Sequence, residues 1–209
     1  MLAVGHIAVA YLVTRGLKRG MWRSMSLPLV WAFSLLPDVD LLIPGVRHMG
    51  PTHSIFFAVA LFVPLFLYFR AEALPYFLGY ASHTVLGDLI TNQGVKFLWP
   101  LSQRSFQFPL PLTVTCDITF SANLELVLFG LFCLVYFLTK DYASELYRED
   151  LKFVFFIPFI ALLVPVVFNF HIPVPLRLVP SHLVLMVIVL QPFYPDFLMS
   201  FLRDVSEKY

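Results

Sequence analysis

Apolar positions along the chain gather into seven runs, at about 2–14, 27–43, 54–69, 74–90, 120–139, 153–170 and 181–201. A helix rises about 1.5 Å per residue, so roughly 20 apolar residues cross the about 30 Å of bilayer hydrocarbon. The pattern predicts an all-α fold: a polytopic transmembrane helical bundle of about five to seven helices, forming a single domain over 1–209. The runs at 54–69, 120–139, 153–170 and 181–201 read as spanning helices. Those at 27–43 and 74–90 sit near the lower length limit and end in acidic residues, while 2–14 suits a tilted or half-depth helix. Residues 91–119 form a long Pro/aromatic-rich loop. Trp99-Pro100, Phe106, Phe108, Pro109 and Pro111 exclude a regular helix there. A loop of this length usually has a task of its own, here an interfacial belt or a lid.

Composition sharpens this picture. The chain is 59% hydrophobic and only 13% charged, with 23 Phe among 209 residues, whereas soluble domains run near half apolar and a quarter charged. The lipid bilayer is therefore the expected partner. A net charge of +1, with basic residues scattered, provides no stripe for a phosphate backbone, so nucleic acid is excluded as a partner. Cys116 lies in the long loop and Cys133 inside an apolar run, and that difference in depth argues against a disulfide between them. Met1 to Val13 lacks a basic leading region and carries Gly5-His6, so it reads as a retained helix and not a cleaved signal. If each run crosses once, one face collects Arg15, Lys18, Arg19, Arg23, Arg70, Lys140, Arg148, Lys152, Arg203 and Lys208. Arg47, Lys96, Arg104 and Arg177 are left on the other. Basic residues favour the cytoplasmic side, which implies seven crossings and a cytoplasmic C-terminus.

Chemistry concentrates in the first ninety residues. His6 opens the first run, Asp38 and Asp40 close the second, His53 opens the third and Asp88 closes the fourth. Alternating crossings bring all five to the same face. His48 lies in the connection between the second and third runs. His83 precedes Asp88 by five residues, roughly 7 Å deeper along a helix. Ionisable groups at membrane depth cost about 2.5–3.5 kcal/mol each and normally face one another or water. Four imidazoles and three carboxylates gathered together suit a divalent cation, zinc first, with manganese or magnesium as alternatives and one or two ions by ligand count. Taken singly, each residue has a plainer role open to it. His6 could pack between helices, Asp38 and Asp40 could end a helix at the interface, and Thr52 could cap one. As a set they favour a metal site. His171 and His182 read as turn and helix-start residues, and Ser54, Ser82 and Ser105 have no special claim as nucleophiles. No phosphate loop, G-x-S-x-G elbow or H-E-x-x-H is present.

These residues also carry a family resemblance. Gly5-His6, Leu35-Leu36-Pro37-Asp38-Val39-Asp40, Arg47-His48-Met49-Gly50-Pro51-Thr52-His53-Ser54 and Gly79-Tyr80-Ala81-Ser82-His83 resemble the YdjM-like family of membrane-bound, metal-dependent hydrolases. Asp88-Leu89-Ile90-Thr91, Gly94 to Pro100 and Arg104 to Pro109 continue the likeness, in order, over residues 1–112. Residues 120–209 resemble the family only in being apolar and would supply additional transmembrane helices. The resemblance implies a hydrolase with a metal site, distantly similar to zinc-dependent phospholipase C. A phosphoester or a lipid headgroup follows as the substrate class. One departure stands out: the family pattern places the His and Asp of the Gly-Tyr motif four apart, and here they are five apart. On a regular helix that spacing rotates them by about 140°, and a π-bulge near Gly87 would restore a common face.

The resulting expectation is a metal-dependent hydrolase in the inner or cytoplasmic membrane. It would act on an ester or phosphoester, lipid-derived in the sense that the resemblance implies, through metal-activated water. His6, Asp38, Asp40, His53, His83 and Asp88 are the expected metal ligands or near-ligands. His48 and Asp40 are the expected catalytic groups, with His48 as general base, and the site is expected to face the extracytoplasmic side. The alternatives are a transporter or ion-binding protein using the same cluster as a transit site, or a structural protein whose polar groups tie helices together.

Overall fold

The computed structural model describes residues 1–17, 25–46, 48–89, 94–106, 118–141, 153–168 and 174–191. Within them are seven α-helices: α1 (Ala3–Leu17), α2 (Leu27–Leu35), α3 (Ile55–Phe69), α4 (Leu74–Ser82), α5 (Ile118–Leu138), α6 (Phe156–Phe168) and α7 (Val179–Leu190). A lone antiparallel bridge, Val95 to Phe106, is the one extended pairing among the described residues. Each helix falls on one of the seven apolar runs, so the all-α bundle is as the pattern predicts. Lys18, Arg19, Arg23, Arg47, Phe108, Pro109, Pro111, Cys116, Arg148, Lys152, His171 and the C-terminal tail lie outside the described residues.

Two helical stretches are long and apolar enough to cross a membrane, Ile55–Asp88 and Phe120–Leu138. The first doubles back. Arg70 takes φ 53°, and beyond it Phe57 stacks on Tyr80 while Phe66 meets Phe77. That pairing order makes α3 and α4 an antiparallel hairpin whose open end carries both His53 and His83. The outward faces of the bundle are apolar at helical spacing: Val59, Val63 and Leu67 on α3, and Val127, Leu131, Leu134 and Leu138 on α5, are all exposed. Exposed stripes of this size are rare on soluble monomers and mark a surface suited to lipid.

α1 is the hub. It touches α2, α4, α5, α6 and α7, and Val4 through Tyr11 are all buried. A helix apolar all round belongs in an interior, and Gly5, Ala8 and Ala10 let neighbouring backbones come close, as small residues do between membrane helices. Tyr11, Trp31, Phe132 and Tyr136 fill the space around it. Each end of α1 is tied to α5 or the residues just beyond it. At the far end the Tyr11 hydroxyl donates to Asp141 Oδ2 at 2.7 Å and Arg15 Nη2 meets Asp141 Oδ1 at 2.9 Å. At the near end the Leu2 amide donates to Glu125 Oε1 at 2.9 Å. Residues 15 and 141 thus share one end of the bundle, and residues 2 and 125 share the other. On the α2–α4 seam, a Cβ at Gly79 would stand 2.9 Å from the Val30 carbonyl oxygen. Only glycine admits that approach, and it sets the end of α2 beside His83.

Candidate metal centre

Three short irregular segments and the first turns of α1 converge at the end of the bundle that holds the N-terminus. After α2 the chain tightens into a 3₁₀ turn, Leu36–Leu42, with Pro37 in its first turn. Proline suits the start of a turn because it lacks the donor that would go unused there, and the turn carries Asp38 and Asp40 inward. A second 3₁₀ turn, Pro51–His53, delivers His53. It also moves the helix start: Ser54, and not Thr52, is the cap of α3, accepting from the Phe57 amide at 3.2 Å. Thr52, a capping candidate in the sequence, instead donates to Asp40 Oδ2 at 3.0 Å.

The third segment resolves the spacing problem. His83–Asp88 is a π-helical turn, and the Leu89 amide reaches back five residues to the Thr84 carbonyl at 3.1 Å. Widening the turn undoes the rotation, and His83 Nε2 lies 3.3 Å from Asp88 Oδ2. The extra residue also makes a recess. His6, from the buried wall of α1, presses its ring into it, so that a Cβ on Gly87 would fall 2.5 Å from the His6 Cε1. The same ring stacks on His83 with centroids 3.6 Å apart.

All seven side chains singled out in the sequence come together here. His83 Nε2 stands 3.2 Å from Asp38 Oδ1, and His53 Nε2 stands 3.6 Å from the same oxygen and 3.4 Å from Asp88 Oδ2. His6 Nε2 is 3.8 Å from Asp88 Oδ1. Asp40 looks elsewhere: its Oδ1 accepts from His48 Nδ1 at 2.9 Å, and its Oδ2 faces Thr52 and, at 3.5 Å, His53 Nδ1. His48 Nε2 is left 3.9 Å from Asp38 Oδ1. Asp38 and His48 each keep about a quarter of their side chain exposed (26% and 28%), while the other five are sealed off.

The donor set fits a cation. Ligands at about 2.0–2.2 Å from a tetrahedral zinc lie roughly 3.3–3.6 Å from one another. The four nitrogen-to-oxygen separations that join His53 Nε2 and His83 Nε2 to Asp38 Oδ1 and Asp88 Oδ2 run from 3.2 to 3.6 Å. Both nitrogens are buried without a hydrogen bond, a costly state for a polar atom unless something else engages it. The opposite ring nitrogen of His83 is fixed by the Ser34 carbonyl at 2.6 Å. That backbone acceptor holds the proton on Nδ1 and leaves Nε2 free as a ligand, as is usual for metal-bound imidazoles. Among the described residues, His6 with Asp38 and His83, Asp38 with His48 and His53, and His53 with His83 and Asp88 could each hold an ion.

Glu125 is absent from the set that the sequence singles out. Buried in α5, it lies over Gly5, the neighbour of His6, and bonds the Leu2 amide. An ionisable residue inside an apolar span is itself the signal that could have found it. His182 bonds the Leu178 carbonyl at 2.8 Å, one turn back in its own helix start, in keeping with the structural role expected of it. The described part of the long loop, 94–106, packs on the segment bearing His48 and His53: the Lys96 amide donates to the Met49 carbonyl at 3.1 Å and the Ile55 amide to the Phe97 carbonyl at 2.9 Å.

No curated protein and no solved structure matches the chain significantly. A family match exists, and it runs through the later helices as well. The likeness is therefore not confined to residues 1–112, which agrees with the packing of α5 and α6 on α1 in one bundle. With the model of that family covering residues 1–190, the chain belongs to the YdjM inner membrane protein family.

Proposed function

We propose that this protein is a membrane-embedded, metal-dependent hydrolase of an ester or phosphoester. The observation that carries this reading is the convergence of His53 Nε2 and His83 Nε2 on Asp38 Oδ1 and Asp88 Oδ2, each nitrogen 3.2–3.6 Å from both oxygens and neither with a hydrogen bond. These four side chains would hold the ion, zinc by donor set. When bound, such a cation polarises an ester or phosphoryl oxygen and makes water a usable nucleophile near neutral pH.

The chain's own groups supply the rest. Asp40 is a positioning residue: it holds Thr52, whose hydroxyl oxygen accepts from His53 Nδ1, and it accepts the Nδ1 proton of His48. Held in that tautomer, His48 offers Nε2 as a base at the partly open rim of the cluster. In the reaction the oxygen of water bonds to the phosphorus or carbonyl carbon and the ester oxygen departs. His48 takes the proton from water and returns it to the leaving oxygen, so that an alcohol is released. His6, stacked on His83 and facing Asp88, buttresses the ligands or joins a second ion. The gathering of basic residues at the opposite face supports an extracytoplasmic position for this end of the bundle.

Protein purified in detergent should carry stoichiometric divalent metal by elemental analysis, and His83→Ala and Asp88→Ala should each lose it. Hydrolysis of lipid or phosphodiester substrates by the wild type, absent in both variants, completes the test. Metal retained in both variants overturns the ligand set. Metal lost in both, with no ester cleaved by the wild type, favours ion binding or transport over hydrolysis.

A further inference from the structure

A cleft of about 620 Å³ opens from the metal cluster into the hydrophobic body of the bundle. Asp38, His48 and Asp88 line one end. The rest of its wall is apolar, with Leu29, Ala32 and Phe33 from α2 and Ile157, Ala161 and Val164 from α6. Its volume falls within the range of about 300–1,000 Å³ typical of small-molecule sites. The direction of the cleft follows from α2, which runs toward the cluster and ends beside it, with Ser34 bonded to His83. Leu29 therefore lies on the order of 14 Å from Asp38 along the axis. A site for a water-soluble phosphoester has no use for an apolar trough of that length.

The cleft is also continuous with the outer surface of the bundle. Ile157 and Ile160 line it and yet are half exposed (52% and 53%), on a helix whose neighbouring Val167 faces outward as well. In a bilayer, that opening meets acyl chains and not water. A polar, cation-binding end joined to an apolar trough that opens sideways matches a molecule with a polar head on an apolar tail.

We infer that one acyl chain of a bilayer lipid enters this cleft sideways between α2 and α6, setting the lipid's ester or phosphoester against the metal cluster. The inference rests on the hydrolase reading for the fate of the lipid but not for its binding. The substrate class is thereby narrowed to membrane-resident acyl lipids. Soluble headgroup esters neither concentrate in the bilayer beside the opening nor fill the trough, and are correspondingly poor substrates. Ala32 and Ala161 are the small residues that α2 and α6 contribute to the wall, so they set how bulky or long a chain the trough accepts.

Photolabelling tests the seat independently of turnover. The full-length protein is placed in nanodiscs of phosphatidylethanolamine containing phosphatidylglycerol with a diazirine near the end of one acyl chain, then irradiated, and the labelled residues are mapped by mass spectrometry. Labelling of Leu29, Ala32 or Ala161 is expected, and it should fall at least several-fold in Ala32→Phe and Ala161→Phe variants that keep the wild-type metal content. If one of the two misfolds, the other still reads the cleft. Labelling restricted to outward residues such as Val59, Leu67 and Val127, or unchanged in a folded variant, overturns the inference. A paired assay separates the two readings. Hydrolysis of glycerophosphodiesters without acyl chains as fast as of the intact lipid removes the acyl seat and leaves the hydrolase, whereas cleft labelling without any hydrolysis keeps the seat and removes the hydrolase.

Discussion

At the residue scale, the division of labour between Asp40 and its neighbours can be tested by chemistry alone. Thr52 Oγ1, which accepts from His53 Nδ1 at 3.2 Å and donates to Asp40, and the Ser34 carbonyl hold the outer nitrogens of His53 and His83, and partners of this kind govern metal affinity without touching the ion. Asp40→Asn should weaken metal binding by about 10–100-fold in competition with a chelating dye, where His83→Ala removes it. Equal, complete loss in both would place Asp40 among the ligands, as its position in the sequence suggests. Protonation provides a second handle. Burial lowers the pKa of His53, but the facing carboxylates of Asp38 and Asp40 outweigh it and hold the pKa above 6.5. In the metal-free protein that proton stabilises the fold fully below about 6.5, and its contribution disappears as pH rises through the raised value. A cation must displace the same proton, so apparent affinity should climb with pH through about 6.5 and level off only above the raised pKa. Calorimetric titrations at stepped pH, with proton release measured in buffers of different ionisation heat, would show it. A flat profile removes His53 from the ligand set. That these seven side chains gather in one place was legible in the sequence, because ionisable groups at the ends of apolar runs are costly unless they meet one another or an ion. Their individual roles were not, since a role depends on which atom faces which, and Asp38 and Asp40 differ there although they are two residues apart.

At the scale of elements, the π-helical turn is the device on which the site depends. Its six residues absorb one residue too many for a regular helix, bring His83 and Asp88 together and open the recess that His6 fills. Val85 in this turn is exposed, at 44%. Deleting it should convert the turn to α-helix with His and Asp four apart, and such a protein should still bind metal stoichiometrically. An alanine inserted beside Val85 should abolish binding by turning Asp88 away, as elemental analysis of the two purified variants would report. Loss in the deletion variant would mean that the recess for His6 matters as much as the shared face. The spacing posed this problem openly in the sequence. The solution needed the neighbours: a π-turn is an unfavourable local choice, and it persists because the His6 ring and the α2 backbone pack into the shape it creates. The same holds for Glu125, whose place in a stretch that reads as plain lipid-facing helix becomes informative once Leu2 and Gly5 are seen against it.

At the scale of the whole molecule, alternation of crossings is what assembles the site, and the orientation of the bundle can be checked directly. Ser105 is exposed in the described part of the long loop, at the cluster end. In a background lacking Cys116 and Cys133, Ser105→Cys should react with a membrane-impermeant maleimide added to intact cells. Reaction only after the membrane is broken would move the site to the cytoplasmic side. Periodicity and composition by themselves determined that this chain is an all-α membrane bundle and that its imidazoles and carboxylates belong to one end of it. Both follow from one-dimensional rules, namely how far a helix rises per residue and how much an ionisable group costs in hydrocarbon. Tertiary structure alone decided which atoms meet, that α1 is an interior hub, and that a trough leads from the cluster to the outer apolar surface. Those depend on close approaches between helices distant in sequence, at Gly79 against Val30 and at His6 against Gly87, and distances of a few ångströms between such segments are set by packing, which no pattern along a single chain encodes.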